Sequence, residues 1–167
     1  MRLKKAAKPL VWIVGAIMFF VALFFILQAL KPPGIKIYFL RGEKLVAAER
    51  ALPEGADPLL VAARELVRGP NEAEKAEGLF SEIPAKALII KIEKRDQIAV
   101  VSFNKALKKY GGGSARVQGL IAQIVYTFTE MPGIEKVQIL IENEPEVILG
   151  GEGFLIDKPL SREDVKL

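Results

Sequence analysis

Residues 115–142 read ARVQGLIAQIVYTFTEMPGIEKVQILIE, and the hydrophobic period changes halfway along them. Val117, Leu120, Ile121, Ile124, Val125 and Phe128 recur at steps of three and four, which draws one broad apolar stripe on a helix. Met131-Pro132-Gly133 stops that helix. From Ile134 the period drops to two, with Val137, Ile139 and Ile141 on one side of a strand. A helix of this length feeding directly into a strand predicts a layered fold with the helix laid on a sheet.

The preceding segments read the same way. Ile35, Ile37 and Phe39 alternate with Lys36, Tyr38 and Leu40, Arg41-Gly42-Glu43 makes a turn, and Leu45–Leu52 runs back. Asp57 and Pro58 open a second helix through Arg68: an aspartate accepts from the first free amides, and proline has no N–H to waste at the first position. Leu59, Leu60, Ala63, Leu66 and Val67 are its expected core face, and Gly69-Pro70 its stop. Asn71–Glu77 reads as a surface loop or a short helical turn, with Leu79, Phe80 and Ile83 folding back onto the core. A hairpin follows, 87–93 and 98–103 about a turn at 94–97, with Leu88, Ile90 and Ile92 marking one face. The glycine-rich tail from Asn143 gives no clear period. Two helices interleaved with strand pairs make an α+β domain, helices packed on one face of a small sheet.

Ahead of this domain, Leu10–Leu30 is a run of twenty-one residues without a charge. At about 1.5 Å per helical residue it reaches roughly 30 Å, the thickness of a bilayer core. Arg2, Lys4, Lys5 and Lys8 precede it, and basic flanks stay in the cytoplasm. The rival is a cleaved secretory signal, but such cores run about 7–15 residues and end in a small-x-small site; here Leu27 stands where a small residue belongs. With no cysteine in the chain, no lipid-modified start is expected. The organisation expected is a basic cytoplasmic tail 1–9, a transmembrane helix 10–30 contacting the lipid bilayer, a linker 31–34, an extracytoplasmic domain 35–162 and a short tail 163–167.

Composition narrows the chemistry. Four of the 24 basic residues lie in the first nine positions, which hold none of the 20 acidic ones; the remainder carries 20 of each. A neutral domain lacks the footprint of a nucleic-acid binder. The chain has no histidine and no cysteine, so the commonest general base, the commonest transition-metal ligand and thiolate chemistry are all missing. Gly111-Gly112-Gly113-Ser114 is a weak phosphate-cradle candidate without a GxGxxG or GxxxxGK[ST] pattern; a sharp turn capped by Ser114 is the plainer reading. Glu142, Glu144 and Glu146 read as solvated charge in a polar turn, and Gln123 as a hydrogen-bonded spacer or interface residue beside the apolar stripe. No catalytic residues, metal ligands or cofactor are expected.

Taken in order, several short segments resemble one known family. They are Ile37-Tyr38-Phe39, Leu66-Val67-Arg68-Gly69-Pro70, Leu79 with Ser81-Glu82-Ile83-Pro84, and Val100-Val101-Ser102-Phe103-Asn104. Gly111–Ser114, Gln123–Thr129, Pro132-Gly133-Ile134 with 137–141, and Pro159-Leu160-Ser161-Arg162 complete the set. The chain from Ile35 to Arg162 resembles the GerMN domain, the sporulation and spore germination module. That resemblance implies a compact domain similar to ring-building motifs, outside a bacterial cytoplasmic membrane. It also implies a non-enzymatic interaction or assembly role in sporulation, germination or cell-envelope complexes, through self-association or an envelope protein partner. The alternative is a surface domain for a cell-wall glycan or small solute, which wants exposed aromatics lining a groove; Tyr38, Tyr110, Tyr126 and some of the phenylalanines are available, and a core position is the plainer reading for them. The pattern differs from many members in lacking a lipobox cysteine, in having one domain copy rather than two, and in placing Leu40-Arg41 after the Tyr-Phe pair.

Overall fold

The computed structural model describes residues 7–29, 34–108, 113–151 and 153–165, and in the first of these segments the side chains from Trp12 to Phe25. The chain divides into two units, Met1–Pro33 and Gly34–Leu167. In the first, α1 is a single helix over Ala7–Ala29. Every described side-chain position on it is exposed, including Trp12, Phe19, Phe20 and Phe25. The expected helix is therefore present, shifted by three residues at its start. Against the membrane crossing expected over 10–30, among the described residues no helix is long and apolar enough to cross a membrane. Residues 31–33 of the expected linker lie outside the described residues, and Gly34 belongs to the first strand instead.

The second unit begins with a hairpin, β1 (Gly34–Arg41) and β2 (Lys44–Ala51), paired in full register. Helix α2 (Pro58–Arg68) starts as the sequence predicts, with the Asp57 side chain accepting from the Leu59 amide at 2.8 Å and Pro58 at the first position. Gly69 ends it at φ 80°, in the left-handed region where a side chain is strained, and returns its N–H to the Glu65 carbonyl. The polar stretch after it folds as α3 (Glu72–Ala76), opened by a reciprocal cap between Asn71 and Glu74.

Next, β3 (Ile89–Arg95) and β4 (Ile98–Phe103) form an antiparallel hairpin on a two-residue turn, in which Asp96 takes φ 53°. Helix α4 (Ser114–Thr129) then crosses back so that β5 (Lys136–Ile141) lies parallel to β4. Strand order is β3-β4-β5. The α4 stripe from Val117 to Phe128 is buried as predicted, and α4 packs on β1, β5 and α2. At Gly119 an added Cβ would sit 2.9 Å from Leu40 Cδ1, so the missing side chain lets β1 approach the helix. The cap, however, is Gly113, and no side-chain bond closes this end; Ser114 is the first helical residue, correcting the expected role of that serine. The rest of the triple glycine, with Tyr110, lies outside the described residues.

The tail folds after all. β6 (Val147–Leu149) and β7 (Phe154–Ile156) make a short hairpin that buries Val147, Leu149 and Ile156. Leu160 then exchanges both backbone hydrogen bonds with Val137 at 2.8 and 2.9 Å, closing the free side of β5. A 3-10 turn at Arg162–Asp164 follows.

Candidate interaction surface

One residue of the expected α2 core face and two of the expected hairpin face are outside. Leu60 on α2 is 53% exposed, Leu88 before β3 56%, and Ile90 within β3 47%. The cause at β3 is a bulge: Ile89 pairs with Phe103 and Lys91 with Ser102, leaving Ile90 unpaired and breaking the alternation. On α2 the buried set is Val61, Ala62, Ala63 and Leu66, so the core stripe passes beside Leu60. Phe80 also stays partly exposed, although its backbone pairs with Leu40.

Leu60, Leu88 and Ile90, with Val67 between them, line an open groove of about 570 Å³ where α2 crosses β3. Arg64 and Lys91 are its charged members, and its lining holds no acidic residue. β3 is an outer strand of its sheet, and among the described residues no strand pairs with its far side. An apolar seam beside the free edge of a strand is a standard place for a partner to add. The period-two reading grouped Leu88, Ile90 and Ile92 on one face; Leu88 and Ile90 are both exposed, and past the bulge Ile92 packs against the core instead.

The other candidate residues have structural duties. Gln123 is fully buried; its Oε1 accepts from the Glu82 amide at 2.7 Å, and its Nε2 donates to the Tyr38 carbonyl and Ser81 Oγ. This fits the spacer reading. Glu142 accepts from the Lys105 amide at 2.7 Å, and Glu144 pairs its backbone with Ile141. Among the described residues no three acidic side chains are grouped as a metal site.

Tyr38 and Tyr126 are half-buried, not core, and meet edge to face at 5.5 Å. Arg162 lies over both rings, 4.8 Å from Tyr126 and 5.8 Å from Tyr38. Its guanidinium also donates to Thr129 Oγ1, the Tyr126 carbonyl and Glu130. Glu130 accepts further from Lys36 and the Tyr38 hydroxyl, each at 3.0 Å. The Arg162 hydrogen bond, aided by those from Lys36 and Tyr38, holds the Glu130 carboxyl at about 2. This cluster pins the C-terminal segment to α4 and β1, and it sets a guanidinium against one face of each tyrosine ring; Phe80 and Phe154 are the exposed phenylalanines of the domain.

A neutral α+β module, with helices over one face of a three-stranded sheet and an apolar groove at one edge, is the class these features define. The family model described as Germane, sporulation and spore germination, matches residues 36–147, and the chain belongs to that family. No curated protein matches it. Among solved structures it is similar to the first GerMN domain of the sporulation protein GerM from Bacillus subtilis, at TM-score 0.63 and 21% identity over 79% of this chain and 99% of that one. It is also similar to the tandem GerMN domains of the same protein, at TM-score 0.58 and 19% identity over 79% of this chain and 46% of that one. The chain thus spans about half the length of the tandem. A putative lipoprotein from Clostridium perfringens gives TM-score 0.57 and 23% identity over 79% and 90%. At such identities the likeness is one of fold.

Proposed function

We propose that this chain is a membrane-anchored, non-enzymatic interaction module, with α1 in the cytoplasmic membrane and the Germane domain outside it. The α2–β3 groove carries the reading: Leu60, Leu88 and Ile90 are exposed beside a strand edge that, among the described residues, no other strand covers. The anchor is supported by the uncharged run 10–30, the basic residues before it, and a continuous α1 that is apolar on all sides. The partner is a protein of the envelope or another copy of this chain, working in sporulation, germination or a related cell-envelope complex. The glycan alternative loses support because Arg162 occupies Tyr38 and Tyr126.

The test is photocrosslinking of the full chain in native membranes, with a photoreactive residue at Leu60 or Leu88. A discrete protein adduct at the groove, absent with the residue at a position such as Glu72 on α3, supports the module. Recovery of the chain in the soluble fraction would sink the anchor, and glycan adducts alone would replace the protein partner with a wall ligand.

A further inference from the structure

A second apolar face lies on the β6–β7 hairpin, and its charge is opposite to that of the groove. Ile148 and Leu155 are cross-strand partners, 57% and 52% exposed, on the side of the hairpin turned away from the buried Val147, Leu149 and Ile156. Glu146 and Asp157, both exposed, adjoin this ladder at its open end. Over residues 142–157 the sequence has five acidic residues and no basic one. The α2–β3 groove is the complement: apolar Leu60, Leu88 and Ile90, basic Arg64 and Lys91, and no acid in the lining. Lys91 also meets Glu93 at 3.1 Å, with half its side chain still exposed. The two faces share no residue.

We propose that the β6–β7 hairpin of one copy seats in the α2–β3 groove of the next, Ile148 and Leu155 against Leu60, Leu88 and Ile90, with Glu146 and Asp157 facing Arg64 and Lys91. This rests on the interaction-module reading and names its occupant. The chemistry favours it: both faces are apolar, and each brings the charge the other lacks. Each copy carries one face of each kind, so the contact is head-to-tail and repeats, closing into a ring if the rotation allows and otherwise running as a filament. The contact is small, and co-anchoring in one membrane supplies the effective concentration that a small contact needs.

The chain has no cysteine, which makes disulfide mapping clean. Two full-length variants, Leu60→Cys and Leu155→Cys, are co-expressed in membranes and oxidised. A mixed dimer is expected, with neither variant dimerising alone, since a disulfide needs Cα atoms within about 7 Å. A chain carrying both changes should give a ladder of oligomers. Arg64→Glu in the Leu60→Cys copy should cut the yield about tenfold or more, and Asp157→Arg in the other copy should restore it.

Dimers of Leu60→Cys alone would overturn the proposal in favour of groove meeting groove. A photoreactive probe on Cys at position 60 that captures a different envelope protein, with no self-adduct, would overturn self-docking and leave the module reading standing. No adduct at either position would remove both.

Discussion

Gln123 and Thr127, four positions apart on α4, hold the two backbone polar groups of Tyr38: Gln123 Nε2 donates to its carbonyl at 3.3 Å, and Thr127 Oγ1 accepts from its amide at 3.0 Å. A helix thus satisfies a strand whose other side already pairs with β2. Both side chains are fully buried.

Gln123→Leu fills a similar volume but takes the side-chain bond away from the Tyr38 carbonyl and the Glu82 amide, while Ser81 Oγ keeps the bond from the Ile83 amide. We predict a loss of about 1–3 kcal/mol, the cost of stranding buried polar groups. Thr127→Val strands one amide and should cost about 1 kcal/mol. Denaturant midpoints should fall with little change in slope; a Gln123→Leu variant as stable as the parent would refute this account of the helix–strand contact.

Arg50 on β2 makes a two-pronged bond to Glu74 at 2.6 and 2.7 Å, reaches Glu65 at 3.1 Å and lies over the Phe39 ring. All three charged side chains are largely withdrawn from water. Arg50→Ala should cost about 3 kcal/mol, because the sequestered Glu74 loses its counter-charge while Glu65 keeps Arg68 at 2.8 Å. Arg50→Lys keeps the charge but not the planar fork, so it should fall between the two. Thermal melts of the three proteins check the order.

Glu130 links stability to acid. Its carboxyl is held at about 2, against an ordinary 4.5, chiefly by the Arg162 hydrogen bond. A depressed acid binds its proton less readily in the folded chain, so its stabilisation is complete above about pH 5 and is lost as the pH falls toward 2. Glu130→Gln should flatten that part of the stability profile. Parallel profiles for variant and parent would assign the acid sensitivity to other carboxylates.

Groove and core can be told apart by substitution. Leu88→Ser and Ile90→Ser touch exposed side chains and should change stability by no more than about 0.5 kcal/mol, while abolishing the crosslinks expected at the groove. Ile139→Ala, fully buried on β5, should cost about 2–5 kcal/mol. If Ile90→Ser melts the domain as Ile139→Ala does, the seam is core and not a docking face.

Much of this architecture was written in local pattern. The α4 stripe, the period-two face of β5, the Asp57-Pro58 start and the Gly69 stop all follow from neighbours a few residues apart, which is why they could be read directly. What escaped depended on distant pairing. Ile90 is expelled because Phe103 and Ser102 sit opposite its neighbours, and Leu60 because the packing of α2 turns it aside. The tail looked irregular because β6 and β7 are three residues long, too short to show a period. Tyr38 and Tyr126 were read toward the core, where the sequence could not reveal that Arg162, 36 positions from Tyr126, would cover them.

The parallel pairing of β4 with β5 has a kinetic consequence. A tight turn cannot lay down a parallel pair, so the segment holding α4 must order before Phe103 finds Ile141 and Ile98 finds Lys136. Until then Val137, Ile139 and Ile141 have no cover. If closing that long loop sets the pace of folding, weakening α4 should slow refolding, whereas weakening the β6–β7 hairpin, which among the described residues pairs only with itself, should mainly hasten unfolding. The interval before β5 docks is when the domain is most open to misassembly.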